Sequence, residues 1–569
     1  MLLSNWTPQR LLTGLVFLLL LGSGCGGGGG SSNPGVVTPP PAPPPAPPPS
    51  SAQLNAASKA ASQATFGLPY VQIEALAEQG YDAWLNQQFA MPATLHRPVV
   101  DDLVQKLNNG ELPPVDDDVE HLIQFRRYAW WNRAMTAPDV LRQRVAFALS
   151  EIFVVSDNVD TLIVYPHALS TYYDVLLANA FGNYRDLLEG IALHPAMGIY
   201  LSHVNNAKAD PAANRFPDEN FAREVMQLFS IGLFELNDDG SERLGNDGRP
   251  IPTYDNDDIR EMAKIFTGLS YGGDEAFFGK QLPRFVVPMQ MFDAQHESGE
   301  KRLLNGLVVA AGQTGTQDIQ AAIDNLFNHS NVGPFIGKQL IQRLVTSNPS
   351  PDYIARVTAA FNGDATGVRG DMRAVLRAIL TDDEAAIAPS GQLGGRLREP
   401  LVRFVSMARQ LNATAEDGLF YNNGYLQQFL LRQHPLSSPS VFNFFLPGHS
   451  PAGELAAANL VAPEFQITDS TTIVSMTNLV ELAVIGEFVM DIEDHFGGVS
   501  LDLSEFEDLA RQSNSVLLDR LDLIFTHGSL SIDTRNVILG VMEDIADLNF
   551  KTKSAIYLVL ISPDYSVDL

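Results

Sequence analysis

Pro217-Asp218-Glu219-Asn220-Phe221-Ala222-Arg223-Glu224-Val225-Met226-Gln227-Leu228-Phe229 is the stretch from which the fold is read. Phe221, Val225, Leu228 and Phe229 recur at three- and four-residue spacing, which places them on one face of a helix. Asn220, Arg223, Glu224 and Gln227 recur at the same spacing on another side. Glu219 stands one turn before Arg223, where the two can pair. Apolar bulk on the remaining arc points to burial, where charges need partners. Two accounts of the polar stripe stay open: a buried structural network, or a carboxylate-lined site.

The same spacing runs through 118–135, 138–155, 218–233, 257–267, 331–345, 370–381, 397–411 and 470–490. The chain is therefore expected to be mainly α, a large multi-helix body over 54–569. Leu54-Asn55-Ala56-Ala57-Ser58-Lys59-Ala60-Ala61 opens it with strong helix formers. Asp371 after Gly370 reads as a helix cap, and Asp258 belongs to an acidic first turn that suits the helix dipole. Two strand-like pieces, 284–292 and 303–310, are expected to form one small β-hairpin. No fixed repeat and no alternation of strand with helix is present, which argues against a doubly wound sheet. The Gly-rich segment 390–396 marks a possible internal boundary, or only a loop.

The N-terminus carries an address. Arg10, an apolar run over 11–21, then Gly22-Ser23-Gly24-Cys25 and glycines over 26–30 resemble a bacterial lipoprotein signal. The apolar run is short of the roughly 20 residues a membrane helix needs. Residues 1–24 are expected to leave as a signal peptide, with Cys25 as the lipidated residue. Gly22 stands where such signals carry Leu, and Gly22 and Gly24 also satisfy the small-x-small rule of ordinary cleavage. Cleavage before Cys25 thus has two supports and lipidation one. The expected location is extracytoplasmic: tethered to a membrane, the outer one in a Gram-negative cell, or secreted if Cys25 is unmodified. Residues 25–53 form a disordered Gly/Pro-rich linker, with polyproline II over 39–49.

Cys25 is the one cysteine among 569 residues, so no intrachain disulfide exists. A formal net charge of −29 argues against nucleic acid as a partner, since phosphate contacts need clustered Lys and Arg. Several motif matches fail on context. Gly268-Leu269-Ser270-Tyr271-Gly272 matches a nucleophile elbow but follows a helix instead of a strand, so Gly268 reads as a helix C-cap. Ser298-Gly299-Glu300-Lys301 lies in a polar loop and has no K-T-G companion. No H-E-x-x-H occurs, and no P-loop supports nucleotide or dinucleotide binding. Asp255-Asn256-Asp257-Asp258 lacks the Gly and Glu of a calcium loop and reads as a helix start.

The segment at 219–232 resembles the E-N-x-A-R-E-x-x-x-L-F-x-x-G signature of a bacterial domain-of-unknown-function family, number 1800. Ordered matches cover nearly the whole body. They include Ala64-Thr65-Phe66-Gly67, Leu141-Arg142-Gln143-Arg144-Val145-Ala146, His194-Pro195-Ala196-Met197-Gly198 and Phe335-Ile336-Gly337-Lys338-Gln339-Leu340-Ile341. They continue with Arg398-Glu399-Pro400, Ser440-Val441-Phe442-Asn443-Phe444-Phe445, Ala462-Pro463-Glu464-Phe465 and Ser562-Pro563-Asp564-Tyr565. Residues 292–306 resemble the family's His-containing loop, with Glu297 after His296 where several relatives carry Asp. The resemblance implies a secreted or surface-exposed helical protein without an assigned activity. It also implies a possible partner, a secreted sulfatase- or phosphatase-like protein encoded beside many members.

Two functional readings follow. The first is a non-catalytic lipoprotein that binds or assembles a secreted partner or a surface polymer. The aromatics of 440–447 are a candidate platform for it, although clustered Phe is usually core. The second is a hydrolase or lyase acting on an extracytoplasmic polymer. Glu219 or Glu224 would serve as general acid or base, with Arg223 tuning its partner. His296 would shuttle a proton or join Asp293 in holding a divalent metal. Asn220, Gln227, Lys301 and Arg398 would bind substrate.

Overall fold

Helix formation follows the apolar spacing closely. Segments expected from periodicity form as Asp118–Thr136, Val140–Ser150, Asn220–Gln227, Asn256–Ile265, Val332–Leu344, Met372–Leu380, Pro400–Gln410 and Ser470–Val484. The computed structural model describes residues 47–112, 118–281, 284–364, 367–386, 395–420, 430–486 and 499–568. Cys25, the signal, most of the linker and most of 390–396 lie outside the described residues. From Pro49 onward the chain forms one compact unit.

Several helix starts are fixed by side-chain caps. Ser50 and Gln53 form a capping box ahead of Ser51–Ala64, as Asp255 and Asp258 do ahead of Asn256–Ile265. Asp371 accepts from the backbone of Arg373 and Ala374. Two helices are buried on every side, Val140–Ser150 and Pro400–Gln410. Both carry arginines inside the core: Arg142 and Arg144 on the first, Arg403 and Arg409 on the second. Val332–Leu344 packs against Val140–Ser150 and is itself largely buried. These three helices place charged groups at the centre of the molecule.

Strands are minor. Among the described residues they form four two-stranded antiparallel pairs of two residues each. The expected hairpin between 284–292 and 303–310 does not form. Gln290–Met291 pairs with Leu269–Ser270, and Val308–Val309 pairs with Lys301–Arg302. The physical reason lies at Gly268. Its φ of +88° turns the chain straight from helix into strand. A Cβ there would stand 3.0 Å from both Met291 Sδ and the Phe292 carbonyl oxygen. The order at Ser270 is therefore helix, glycine, strand, the reverse of an elbow.

Candidate functional site

The signature helix Asn220–Gln227 divides its polar residues between solvent and core. Glu219 and Arg223 form a half-exposed ion pair at 3.4 Å, and Asn220 is exposed. Glu224 is buried, and its Oε2 has no hydrogen-bond partner. Burial pushes its carboxyl up, against the pull of Arg223. Gln227 Oε1 accepts from the Tyr254 hydroxyl at 3.2 Å.

The His-containing loop is tied elsewhere. His296 faces the Thr267 carbonyl with Nδ1 (2.9 Å) and Asp318 Oδ2 with Nε2 (2.9 Å). Lys301 Nζ donates to the same Asp318 oxygen at 2.6 Å and to the Gly299 carbonyl at 3.0 Å. His296, Lys301 and Asp318 are all buried. Asp293 accepts from the Gly315 amide at 2.8 Å. Thus His296 and Asp293 each have other partners than a shared metal. Lys301 closes a loop onto the helix Gly315–Phe327 and does not reach outward. The loop 205–210 touches both regions: the Asn206 side chain accepts from the Asp218 amide, and Glu297 accepts from the Ala209 amide. Among the described residues, no hydrogen bond or ion pair joins the side chains of 219–224 to those of 293–301.

Arg398, expected to meet substrate, is a core residue. Its Nε donates to Asp568 Oδ1 at 2.6 Å, and Arg396 meets the other carboxylate oxygen at 3.1 Å. Its Nη2 lies 2.7 Å from His527 Nε2, and His527 Nδ1 lies 2.8 Å from Ser58 Oγ. Ser58, His527 and Asp568 thus stand in the order of a catalytic triad. The proton count excludes that role. Arg398 only donates, so Nε2 accepts and a neutral ring carries its proton on Nδ1. Burial, outweighing Asp568, lowers the His527 pKa and keeps the ring neutral. Nδ1 then donates to Ser58, whose own proton goes to the Leu523 carbonyl at 2.6 Å. The serine points its proton away from the base and is 1% exposed.

A different site emerges where the family-like motifs converge. Arg144, Glu151, Arg343, Arg396, Glu399 and Glu464 are all buried. Arg343 Nε stands 3.6 Å from Glu151 Oε2, and Arg144 Nη2 stands 3.8 Å from Glu399 Oε1. Gln433 bridges the acids, donating to Glu399 at 2.6 Å and to Glu151 at 3.3 Å. Asn443 donates to Glu151 at 3.4 Å. Burial, with Glu399 adding, pushes the Glu151 carboxyl well up. Burial also raises Glu464 to about 8, although Arg396 and Arg343 oppose it. It lowers Arg144 to about 10, with Glu399 opposing.

Above this cluster lies a groove of about 580 Å³. Glu151, Gln339, Gln342, Arg343 and Asn443 line it from the polar side; Phe335, Leu236, Val441 and Val461 are among its apolar lining. Leu233, Phe442 and Leu446 also line it, at 50%, 46% and 46% exposed. The aromatic run at 440–447 therefore splits: Phe444 is core, Phe445 is buried in the groove wall, and Phe442 stands half exposed at the groove. The signature helix reaches the same place by its last turn, through Gln227 and Leu228. The final glycine of the signature, Gly232, has φ +74°, and a Cβ there would stand 2.8 Å from the Phe335 ring. Asn331 fixes this turn by donating to the Ile231 and Phe234 carbonyls at 2.9 and 2.7 Å.

The sequence alone does not single out Glu151, Gln339, Arg343, Glu399 or Glu464 as site residues. One signal was present: charged residues sit inside runs that are otherwise apolar, as in Leu141 to Leu149. Among the described residues no group of three His, Cys, Asp or Glu is placed to hold a metal ion. What this arrangement offers is an apolar-walled recess with hydrogen-bonding groups at its base.

A mainly helical body built around a buried charge cluster, with the signature motifs gathered at one groove, defines the class. Residues 59–567 match the family model described as "Protein of unknown function (DUF1800)", and the chain belongs to that family. No curated protein and no solved structure matches the chain.

Proposed function

We infer that this chain is a cell-envelope binding protein that holds a secreted partner protein at the Phe442 groove. The observation that supports this is the groove itself. Its volume of about 580 Å³ suits one or two large side chains. Leu233, Phe442 and Leu446 line it half exposed, and large apolar side chains exposed together are what a partner surface covers. Covering the exposed half of each contributes on the order of 1 kcal/mol.

Delivery is by the signal over 1–24. Cys25 carries the lipid and 25–53 spaces the body from the membrane, the outer one in a Gram-negative cell; without lipid the protein is released. The sulfatase- or phosphatase-like proteins implied by the family resemblance are the partner class of first choice. Cleavage of a surface polymer by Glu219, Arg223, Glu224 and His296 is less well supported. His296 faces Asp318 and a backbone carbonyl, and Glu219 faces solvent with Arg223.

A pull-down from detergent-solubilised envelope tests the reading. The doubly substituted Leu233→Glu, Phe442→Glu protein changes only half-exposed positions and should melt within a few degrees of wild type. It is expected to lose a companion protein that wild type retains, by about tenfold or more for each 1.4 kcal/mol removed. Identical companions from both proteins, or none from either, would contradict it.

A further inference from the structure

We propose that Lys59 is an imine-forming amine, which takes the carbonyl group of an apolar aldehyde seated in a second pocket away from the Phe442 groove. This pocket, of about 440 Å³, lies between the helices Ser51–Ala64 and Tyr70–Gln79 and the end of Met372–Leu380. Its volume is in the range that holds a small molecule. Ala56, Ala60, Leu76, Ala77 and Leu380 give it apolar walls beside Lys59. Lys59 is partly buried, neither sealed off nor fully exposed. Among the described residues its ammonium has no ion pair and no hydrogen bond. The carboxylates around it are matched elsewhere. Asp82 meets Arg377 at 3.0 Å, and Asp382 meets Arg356 at 2.7 Å. Asp568 attracts Lys59 from farther off, but its own oxygens are held by Arg398 at 2.6 Å and Arg396 at 3.1 Å.

An ammonium left unpaired against an apolar wall gives up its proton more readily than one in water. Burial lowers the Lys59 pKa from 10.5, against the pull of Asp568. Burial also keeps the nearby His527 ring neutral and the Tyr81 hydroxyl of the pocket protonated, so neither sets a charge against the amine. The free amine, which is the nucleophile, is therefore present at lower pH than on an exposed lysine. Its Nζ adds to the carbonyl carbon of the aldehyde. Both amine hydrogens then leave with the carbonyl oxygen as one water, and a C=N bond stands where C=O stood. The step is reversible and needs no oxidant or reductant. The chain behind the carbonyl is apolar because the walls are, and Asp82 and Asp382 repel an acidic substituent.

The test uses the full chain with hexanal or propanal, cyanoborohydride to fix each imine as a stable amine, and peptide mapping by mass. Lys208 and Lys338, both exposed, are the internal references. At pH 7.5 hexanal is expected to label Lys59 about tenfold faster than either reference. Each methylene buried favours hexanal over propanal by about fourfold at most, so Lys59 should prefer hexanal by about tenfold while the references do not discriminate. The ratio of Lys59 to reference labelling should fall as pH rises through about 10.4, where exposed lysines lose their protons. Lys59→Arg should lose the fast adduct, keep the slow ones and melt within a few degrees of wild type; if it does not fold, the wild-type ratios alone decide. Labelling of Lys59 no faster than Lys208 and Lys338, or without preference for hexanal, overturns the proposal. The pocket shares no lining residue with the Phe442 groove, so this result and the pull-down stand or fall separately.

Discussion

Replacing Asp568 by Ala should cost about 3–5 kcal/mol of stability, because it leaves two buried guanidinium groups without their anion. Asp568 is 9% exposed and lies between Arg398 at 2.6 Å and Arg396 at 3.1 Å. The pairing of Val567–Asp568 with Arg396–Leu397 holds the chain end in register for that contact. Arg396 and Arg398 are 2% and 4% exposed, so water cannot replace the lost carboxylate. The pH dependence has a fixed sign. Burial alone would raise the Asp568 pKa, but Arg398 and Arg396 outweigh it and hold the carboxyl well below 3.8. Stability from this group is full above the ordinary carboxylate range and is lost as pH falls through the lower folded value. Adding Arg398→Met to Asp568→Ala should recover part of the loss, since it removes one unpaired charge. Urea midpoints of the three proteins check the prediction; a loss below about 1 kcal/mol for Asp568→Ala would sink it.

Glu464→Gln should have the opposite pH signature. Glu464 is 2% exposed, and burial raises it from 4.5 to about 8, against Arg396 and Arg343 and with Glu399. The folded protein therefore holds a proton that the unfolded chain releases. Stability from that proton is full below about 4.5 and is lost as pH rises through about 8. Glutamine copies the neutral acid at every pH. Wild type and Glu464→Gln should be nearly equal at pH 5, and the variant should be more stable at pH 9, by about 3–5 kcal/mol from the linkage relation. Parallel stability curves from pH 5 to 9 would show that Glu464 is charged in the native state.

Amphipathic helices were legible because their apolar spacing survives in the sequence. Met372–Leu380 buries Met372, Val375, Leu376 and Ile379, a face anyone can count. Pro166–Asn179 was not picked out, because it is buried on most sides and has no polar face to contrast. The signature helix was legible from its spacing, and of its expected site residues Gln227 lines the groove. Glu219 and Arg223 reach solvent, while Gln227, Leu228 and Gly232 build the groove. The charge cluster could not be assembled from sequence. Glu151, Glu399 and Glu464 come from three distant segments, and only tertiary packing puts Gln433 between the first two. The hairpin failed for a related reason. Each strand-like piece pairs elsewhere, Gln290–Met291 with Leu269–Ser270 beyond Gly268 and Val308–Val309 with Lys301–Arg302.

The central claim is that the Phe442 groove is where this protein meets its partner. The most direct test is a photo-crosslinking amino acid placed at Leu233 or Leu446 of the full chain in cells, with Val71, 70% exposed and not among the groove residues, as the control. The account predicts one discrete adduct with an extracytoplasmic protein from both groove positions, absent from the Val71 control and lost when Phe442→Glu is added. Equal adducts from Val71, or none from either groove position, would contradict it.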